Sequence, residues 1–233
     1  MIVLEDQRND APVTTESYVI TEDDVRGLIP VDVSNHPYRF LKRALDIVLS
    51  VLGLAVLLLP LAVLALVIYI DNPGSVLFLQ TRVGKDGKHF RLYKFRTMKL
   101  DTPKYVATID MTEPEKYITR VGRILRKLSL DELPQLVNVL KGDMSLVGPR
   151  PLIPSEEQIH NMRTRFGVYS ACPGITGLAQ VRGRDTVSPA EKVRYDWEYV
   201  SKFGFLMDMR VLLSTIPKAF SGSGVVENGK KNT

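Results

Sequence analysis

The sequence predicts an α-rich α/β fold. An N-terminal re-entrant membrane helix, broken at Pro60, leads into a small cytosolic globular domain with a short β-hairpin and several amphipathic interfacial helices. Three observations carry this expectation. Ile47–Ile70 runs for about two dozen residues without a charge, long enough to cross a bilayer at 1.5 Å per residue. Val76–Val83 and His89–Arg96 read as strands on either side of Gly84-Lys-Asp-Gly87, a hairpin signal. Beyond them, Ser/Thr-x-x-Glu signatures open three segments whose apolar residues recur at helical spacing.

The 233 residues suit one domain with appendages. Charge is unevenly spread. Residues 1–35 hold eight acids and only Arg8 and Arg26 as bases, so the remainder of a chain with net charge +5 carries about +11. A basic body points to an anionic partner: phosphates, nucleic acid or lipid headgroups. Residues 1–37 read as an acidic, largely disordered extension, with a short strand or helix around Ser17–Ile29. Residues 38–220 form the domain, with the membrane helix at about 44–70 and the globular part at about 74–220. Residues 221–233 read as a flexible tail. A single Cys172 excludes an internal disulfide and all-cysteine metal sites.

Two details of the apolar run bear on topology. Pro60 near its middle removes a backbone hydrogen bond and bends or breaks a helix. Both flanks are basic, with Arg39, Lys42 and Arg43 before and Arg82, Lys85 and Lys88 after, which favours keeping both ends on the cytoplasmic side. Re-entry at Pro60 satisfies both details; a straight span with a tolerated proline is the other reading. Asp46, at the entry edge, is placed to cap the helix or pair with Arg43.

Within the hairpin, Lys94 and Arg96 share a strand face about 7 Å apart. Two cations at that spacing suit a diphosphate, and they equally suit a solvated strand face. Thr112-Glu-Pro-Glu115 then reads as a capping box. Its helix carries Ile118, Val121, Leu125 and Leu128 on one stripe and Arg120, Arg123, Arg126 and Lys127 around it, a pattern suited to a membrane surface or a phosphate-rich cleft. Ser129-Leu-Asp-Glu132 is a second box, opening a helix that ends at Gly142. Asp131 and Glu132 would lie in its first turn, where the helix dipole holds a carboxylate ionised. Such a carboxylate can act as a nucleophile or bind Mg²⁺; a capping role is the plainer alternative.

Downstream, Pro149 and Pro151 restrict the backbone around Arg150 and aim it, which makes an anion clamp of its guanidinium or a rigid turn with a surface arginine. Pro173-Gly-Ile-Thr-Gly177 and Gly183-Arg184 form a tight stretch able to bring backbone N–H groups near a nucleotide. Ser188-Pro-Ala-Glu191 is the third capping box. Phe203–Phe220 is apolar with few charges, either a shallow interfacial helix or a core element.

Five segments in this order resemble the bacterial sugar transferase family, the monotopic polyprenyl-phosphate phosphoglycosyl transferases. They are Phe40-Leu-Lys-Arg-Ala-Leu-Asp46, Tyr93-Lys-Phe-Arg-Thr-Met98, Ser129-Leu-Asp-Glu-Leu-Pro-Gln135, Gly142-Asp-Met-Ser-Leu-Val-Gly-Pro-Arg-Pro151 and Pro173-Gly-Ile-Thr-Gly-Leu-Ala-Gln180. The resemblance covers about residues 38–220. It implies that Asp131 attacks the β-phosphate of a UDP-sugar, releases UMP and becomes a sugar-phosphoryl aspartate. Undecaprenyl phosphate then accepts the sugar phosphate. Mg²⁺ is implied on Asp131 with help from Glu132, and Lys94, Arg126 and Arg150 match phosphate-binding positions. The resemblance also implies a cytoplasm-facing enzyme of the bacterial inner membrane, acting at the first membrane step of exopolysaccharide, capsule, O-antigen or glycoprotein glycan assembly. Expected partners are membrane lipid, downstream glycosyltransferases and a second copy of the chain. One departure is Leu59-Pro60, where the family often has Ser-Pro.

Two other functions fit parts of the sequence. A glycosyltransferase that makes a glycosidic bond would release UDP rather than UMP. A non-catalytic membrane-anchored scaffold for polysaccharide assembly would use the basic body without needing Asp131. The sequence carries no recognised nucleic-acid motif, so nucleic acid is not an expected partner.

Overall fold

The computed structural model describes residues 19–102, 114–183 and 186–221. The long helix, α1, spans Tyr38–Asp71. It is followed by the antiparallel hairpin of β1 (Leu77–Val83) and β2 (His89–Phe95), in which Phe78 pairs with Lys94 and Arg82 with Phe90. Then come α2 (Arg120–Lys127) and α3 (Gln135–Lys141). A second small sheet pairs β3 (Ser145–Val147) in parallel with β4 (Gly174–Thr176), and α4 (Glu157–Arg165) lies between them in the chain. The chain closes with α5 (Leu178–Arg182), α6 (Pro189–Ser201) and α7 (Phe205–Ser221). The α-rich fold and the hairpin are as expected; the parallel β3–β4 pair, only three residues per strand, was not.

In α1 the helical backbone continues through Pro60, so the break expected there is replaced by an unbroken helix. Proline removes a single N–H donor, and the turns on either side still close their own bonds. The helix has two unlike faces. Lys42, Asp46, Ser50 and Ile68 are buried, and Gly53, Leu57, Leu61 and Leu64 continue that line half-buried. On the other side Val48, Leu52, Val56, Leu59, Val63, Leu66 and Ile70 are 52–77% exposed. Both ends rest on the same body. Lys42 Nζ donates to Asp208 of α7 at 2.5 Å, while Ile68 packs with Phe95 and Leu125. Asp46 does not pair with Arg43. It accepts from Leu146 N–H at 3.0 Å, and Arg43 donates to the carbonyls of Val139 and Leu140 at 2.5 and 2.9 Å, where α3 leaves acceptors unsatisfied.

From residue 19 the acidic extension is packed rather than loose. Ile20 and Val25 are buried with Leu152, Ile159, Phe166 and Val193, and Val33 joins the cluster around Tyr199 and Val211. Trp197 Nε1 donates to the Ile29 carbonyl at 2.7 Å, and Val31 N–H to that of Phe166 at 3.3 Å. Gly167 permits this approach: a Cβ there would stand 1.8 Å from the Val31 oxygen. Composition missed the segment because its few apolar residues are widely spaced, and they are buried by residues more than 100 positions away in the chain.

The Ser188 capping box forms in full at the start of α6. That of Thr112 lies outside the described residues; α2 is capped by Thr119, whose side chain accepts from Gly122 N–H at 2.9 Å. Helix α7 has a core face and an exposed apolar face. Met207, Asp208 and Val211 are buried, while Phe205, Leu206, Leu213 and Ile216 are exposed.

Candidate active site

Asp131 and Glu132 do not sit in the first turn of a capped helix. Ser129 takes a left-handed backbone, φ +57°, and makes no side-chain cap; Leu130–Glu132 form one short 3₁₀ turn between α2 and α3. The expected box fails because Glu132 has stronger partners than a backbone N–H. Its Oε1 accepts from Lys94 Nζ at 2.8 Å and from Arg150 Nη2 at 2.9 Å. Charge-assisted bonds of this kind are roughly twice as strong as neutral ones.

Asp131 is 8% exposed, and its Oδ2 forms an ion pair of 3.6 Å with Lys94 Nζ. Burial pushes its carboxyl above the ordinary aspartate range. Lys94 pulls against that, Glu132 adds to it, and Arg126 and Arg150 pull against it. The two acids are thereby driven apart. Burial alone would raise Glu132, but Arg150 and Lys94 outweigh it and hold that carboxyl well below its usual range. The result is one buried carboxylate locked to two cations and a neighbour with its oxygens largely unengaged, the arrangement expected when two acids divide their roles.

Of the cations anticipated from the sequence, the structure brings Lys94 and Arg150 into ion pairs with the two acids, and the charge of Arg126 also acts on Asp131. Arg96 is elsewhere. Strand β2 ends at Phe95, and the Arg96 guanidinium donates to the Asn72 carbonyl just past α1. One cation was missed. Arg82, considered only as a flanking charge, donates through Nη1 to the Pro151 carbonyl at 3.3 Å. Burial, and then the charge of Arg150, bring its pKa down to about 10, with Glu156 and Glu132 opposing; it stays cationic at neutral pH.

Strand β2, which presents Lys94, is fixed by Asn138 of α3, a residue with no signal in the sequence. Its Oδ1 accepts from Tyr93 N–H at 2.9 Å, and its Nδ2 donates to the Arg91 carbonyl at 2.7 Å and to Asp143 at 3.2 Å. Asn138 is wholly buried. Asn138→Leu is therefore expected to lower stability by about 2–4 kcal/mol, since two backbone groups lose their partners; urea denaturation of the detergent-solubilised chain measures it.

The Gly-rich segment acts differently from its sequence reading. Gly174 packs directly on Gly148, where a Cβ would meet the Gly148 nitrogen at 2.1 Å. The glycines hold the Arg150 loop against β4. Arg184 lies outside the described residues. Asp196 and Asp208 pair with Arg163 and Lys42.

Among the described residues, no three or more His, Cys, Asp or Glu side chains gather as a metal-binding group. The donor set present suits a cation held by one or two carboxylates and completed by phosphate and water, the usual habit of Mg²⁺. Asp131 is the available ligand, because Glu132 is already neutralised by Lys94 and Arg150.

The family model described as Bacterial sugar transferase matches residues 37–222. Over 190 residues the chain is 41% identical to the UDP-glucose:undecaprenyl-phosphate glucose-1-phosphate transferase of Escherichia coli (strain K12), covering 78% of this chain and 40% of the relative. Over 208 residues it is 36% identical to the UDP-N-acetylgalactosamine-undecaprenyl-phosphate N-acetylgalactosaminephosphotransferase of Aeromonas hydrophila, covering 87% and 48%. It is 42% identical over 195 residues to the exopolysaccharide production protein PSS of Rhizobium leguminosarum bv. phaseoli, covering 76% and 93%. The chain thus spans less than half the length of the first two relatives and nearly all of the third.

Proposed function

This chain belongs to the bacterial sugar transferase family, and from that premise we propose that it transfers a sugar-1-phosphate from a UDP-sugar to undecaprenyl phosphate, releasing UMP. The observation that carries the reading is Asp131: a buried carboxylate with open oxygens, beside a partner acid that is fully engaged, with Lys94, Arg126 and Arg150 close by. The first two relatives bear names of this same reaction class.

In the proposed reaction an Asp131 oxygen attacks the β-phosphorus. The bond from that phosphorus to the bridging oxygen breaks, and UMP leaves with the electron pair. The sugar phosphate remains as a mixed anhydride on Asp131. An oxygen of the lipid phosphate then attacks the same phosphorus, and the Asp131 carboxylate leaves unchanged. The sugar's glycosidic C–O bond is untouched. Both steps shift negative charge among phosphate oxygens, so catalysis depends on fixed cations around the phosphorus. Lys94 and Arg150 are positioned by Glu132, which holds them without being consumed. Mg²⁺, when bound at Asp131, would supply further charge neutralisation to the diphosphate.

The exposed apolar face of α1 and that of α7 support a bilayer setting. Attachment of both ends of the unbroken α1 to one body supports a path that keeps both ends on the cytoplasmic side of the inner membrane rather than a through-going one. Cysteines placed at residues 36 and 86, in a variant lacking Cys172, should label from the same side; opposite-side labelling would refute that path.

The nucleotide product tests the reaction. With UDP-sugars, Mg²⁺ and undecaprenyl phosphate, release of UMP is expected. Release of UDP would indicate glycosidic-bond formation instead, and no release with any UDP-sugar would favour a scaffold. A lipid diphosphosugar is the natural acceptor for glycosyltransferases that act next.

A further inference from the structure

Four consecutive carbonyls of the Arg150 loop are held by four separate donors. Gly174 N–H reaches Pro149 O at 2.9 Å, Arg82 Nη1 reaches Pro151 O at 3.3 Å, and Val83 N–H reaches Leu152 O at 3.0 Å. The Arg150 carbonyl accepts from Arg163 Nη1 at 2.9 Å. Arg163 stands on α4 and is 1% exposed. Its Nε, at 3.0 Å, and its Nη2 both donate to Oδ2 of Asp196 on α6, which is also 1% exposed.

Cohesion between the two helices does not account for this pair. Desolvating two charges is costly, and apolar side chains of similar volume commonly hold a core as well or better. Ile159, Phe166, Ala190 and Val193 already pack this region. What no apolar pair can supply is the third bond, from Nη1 to the Arg150 carbonyl. On the proposed reading of the site, we infer that Arg163, locked in place by Asp196, is a positioning residue that aims Arg150 at Glu132. It touches neither Asp131 nor Glu132. It sets the peptide plane at Arg150, and because Pro149 and Pro151 restrict the backbone on both sides, that plane determines where the guanidinium points. Its Nη2 then lies 2.9 Å from Glu132 Oε1.

The test replaces the pair together, Arg163→Met with Asp196→Leu, leaving no unpaired charge in the core. UMP release is expected to fall about 10- to 100-fold, as when a supporting contact behind a catalytic group is lost. In an Arg150→Ala background the same replacement should change turnover less than about 2-fold, because its route of action is already gone. Losses that multiply across this cycle would overturn the inference. Arginine-selective ¹⁵N labelling adds a readout independent of turnover. The Arg150 guanidinium signal, identified by its disappearance in Arg150→Ala, should show restricted rotation in the parent chain and free averaging in the pair replacement. An unchanged signal would overturn the positioning role. If the parent chain released no UMP, the transferase reading would fail, and the guanidinium signal would still decide this one.

Discussion

Asp131→Asn should abolish turnover and, at the same time, make the chain harder to unfold. The loss of activity follows from the proposed nucleophile: an amide cannot form the phosphoryl intermediate, and UMP release should drop at least about 1,000-fold. The gain in stability follows from burial, the largest influence on a carboxyl that is raised in the folded state. A raised carboxyl binds its proton more tightly folded than unfolded. The stability it contributes is therefore present below the ordinary value of 3.8 and is lost as pH rises through the folded value. At neutral pH the native chain bears that loss, and asparagine does not. A rise in Tm is expected, read by thermal unfolding at neutral pH. Parent-like turnover in the variant would sink the mechanism; a fall in Tm would mean that attraction to Lys94 outweighs burial.

Glu132 has the opposite sign. Its carboxyl is depressed because Arg150 and Lys94 overcome burial, so its contribution is present above the ordinary value of 4.5 and is lost as pH falls through the folded value. Stability measured against pH should thus separate the two acids. Turnover should follow Asp131, with the acid limb of kcat/KM above the ordinary aspartate range, since attack requires the ionised form.

Lys42→Ala should lower stability by about 3–5 kcal/mol, the usual result of removing one partner from a buried ion pair. Lys42 and Asp208 are 6% and 3% exposed, and Asp208 also accepts from the hydroxyls of Tyr38 and Tyr199, each at 2.8 Å. Without Lys42 those hydroxyls remain, but Asp208 has no cation among the described residues. The loss falls at the join between α1 and α7, so the long helix should loosen from the domain as stability drops. Thermal unfolding in detergent measures it, with Tm lower by about 10 °C. A change below about 1 kcal/mol would show that the two tyrosines suffice to hold the carboxylate.

The legible parts of this molecule were local. The hairpin about Gly84-Lys-Asp-Gly87 and the Ser188 box on α6 depend on residues within a few positions of each other, and both form. The Ser129 box has the same signature as that of Ser188 and does not form. The difference lies in Lys94 and Arg150, which approach Glu132 from distant parts of the chain, whereas Glu191 accepts from the Ser188 backbone N–H at 2.9 Å. Arg96 shows the converse. Strand alternation put it beside Lys94, but the strand ends at Phe95 and the side chain turns to the Asn72 carbonyl just past α1. Asn138 and Arg82 carried no pattern at all, because their importance comes from the backbone groups they meet.

Composition and short spacing suffice for the long apolar helix, the hairpin, the capped α6 and the ordered motifs that place the chain in its family. Long-range packing sets the rest: the extension from residue 19 is packed, both ends of α1 rest on one body, and particular cations face Asp131 and Glu132. The physical reason is the same in every case. Burial and charge interaction depend on separation in space, which falls steeply between groups that folding brings together and has no counterpart in their spacing along the chain. Asp131 and Glu132 are adjacent in sequence with nearly the same intrinsic acidity, yet burial prevails at Asp131 while Arg150 and Lys94 prevail over burial at Glu132, so their proton affinities move in opposite directions.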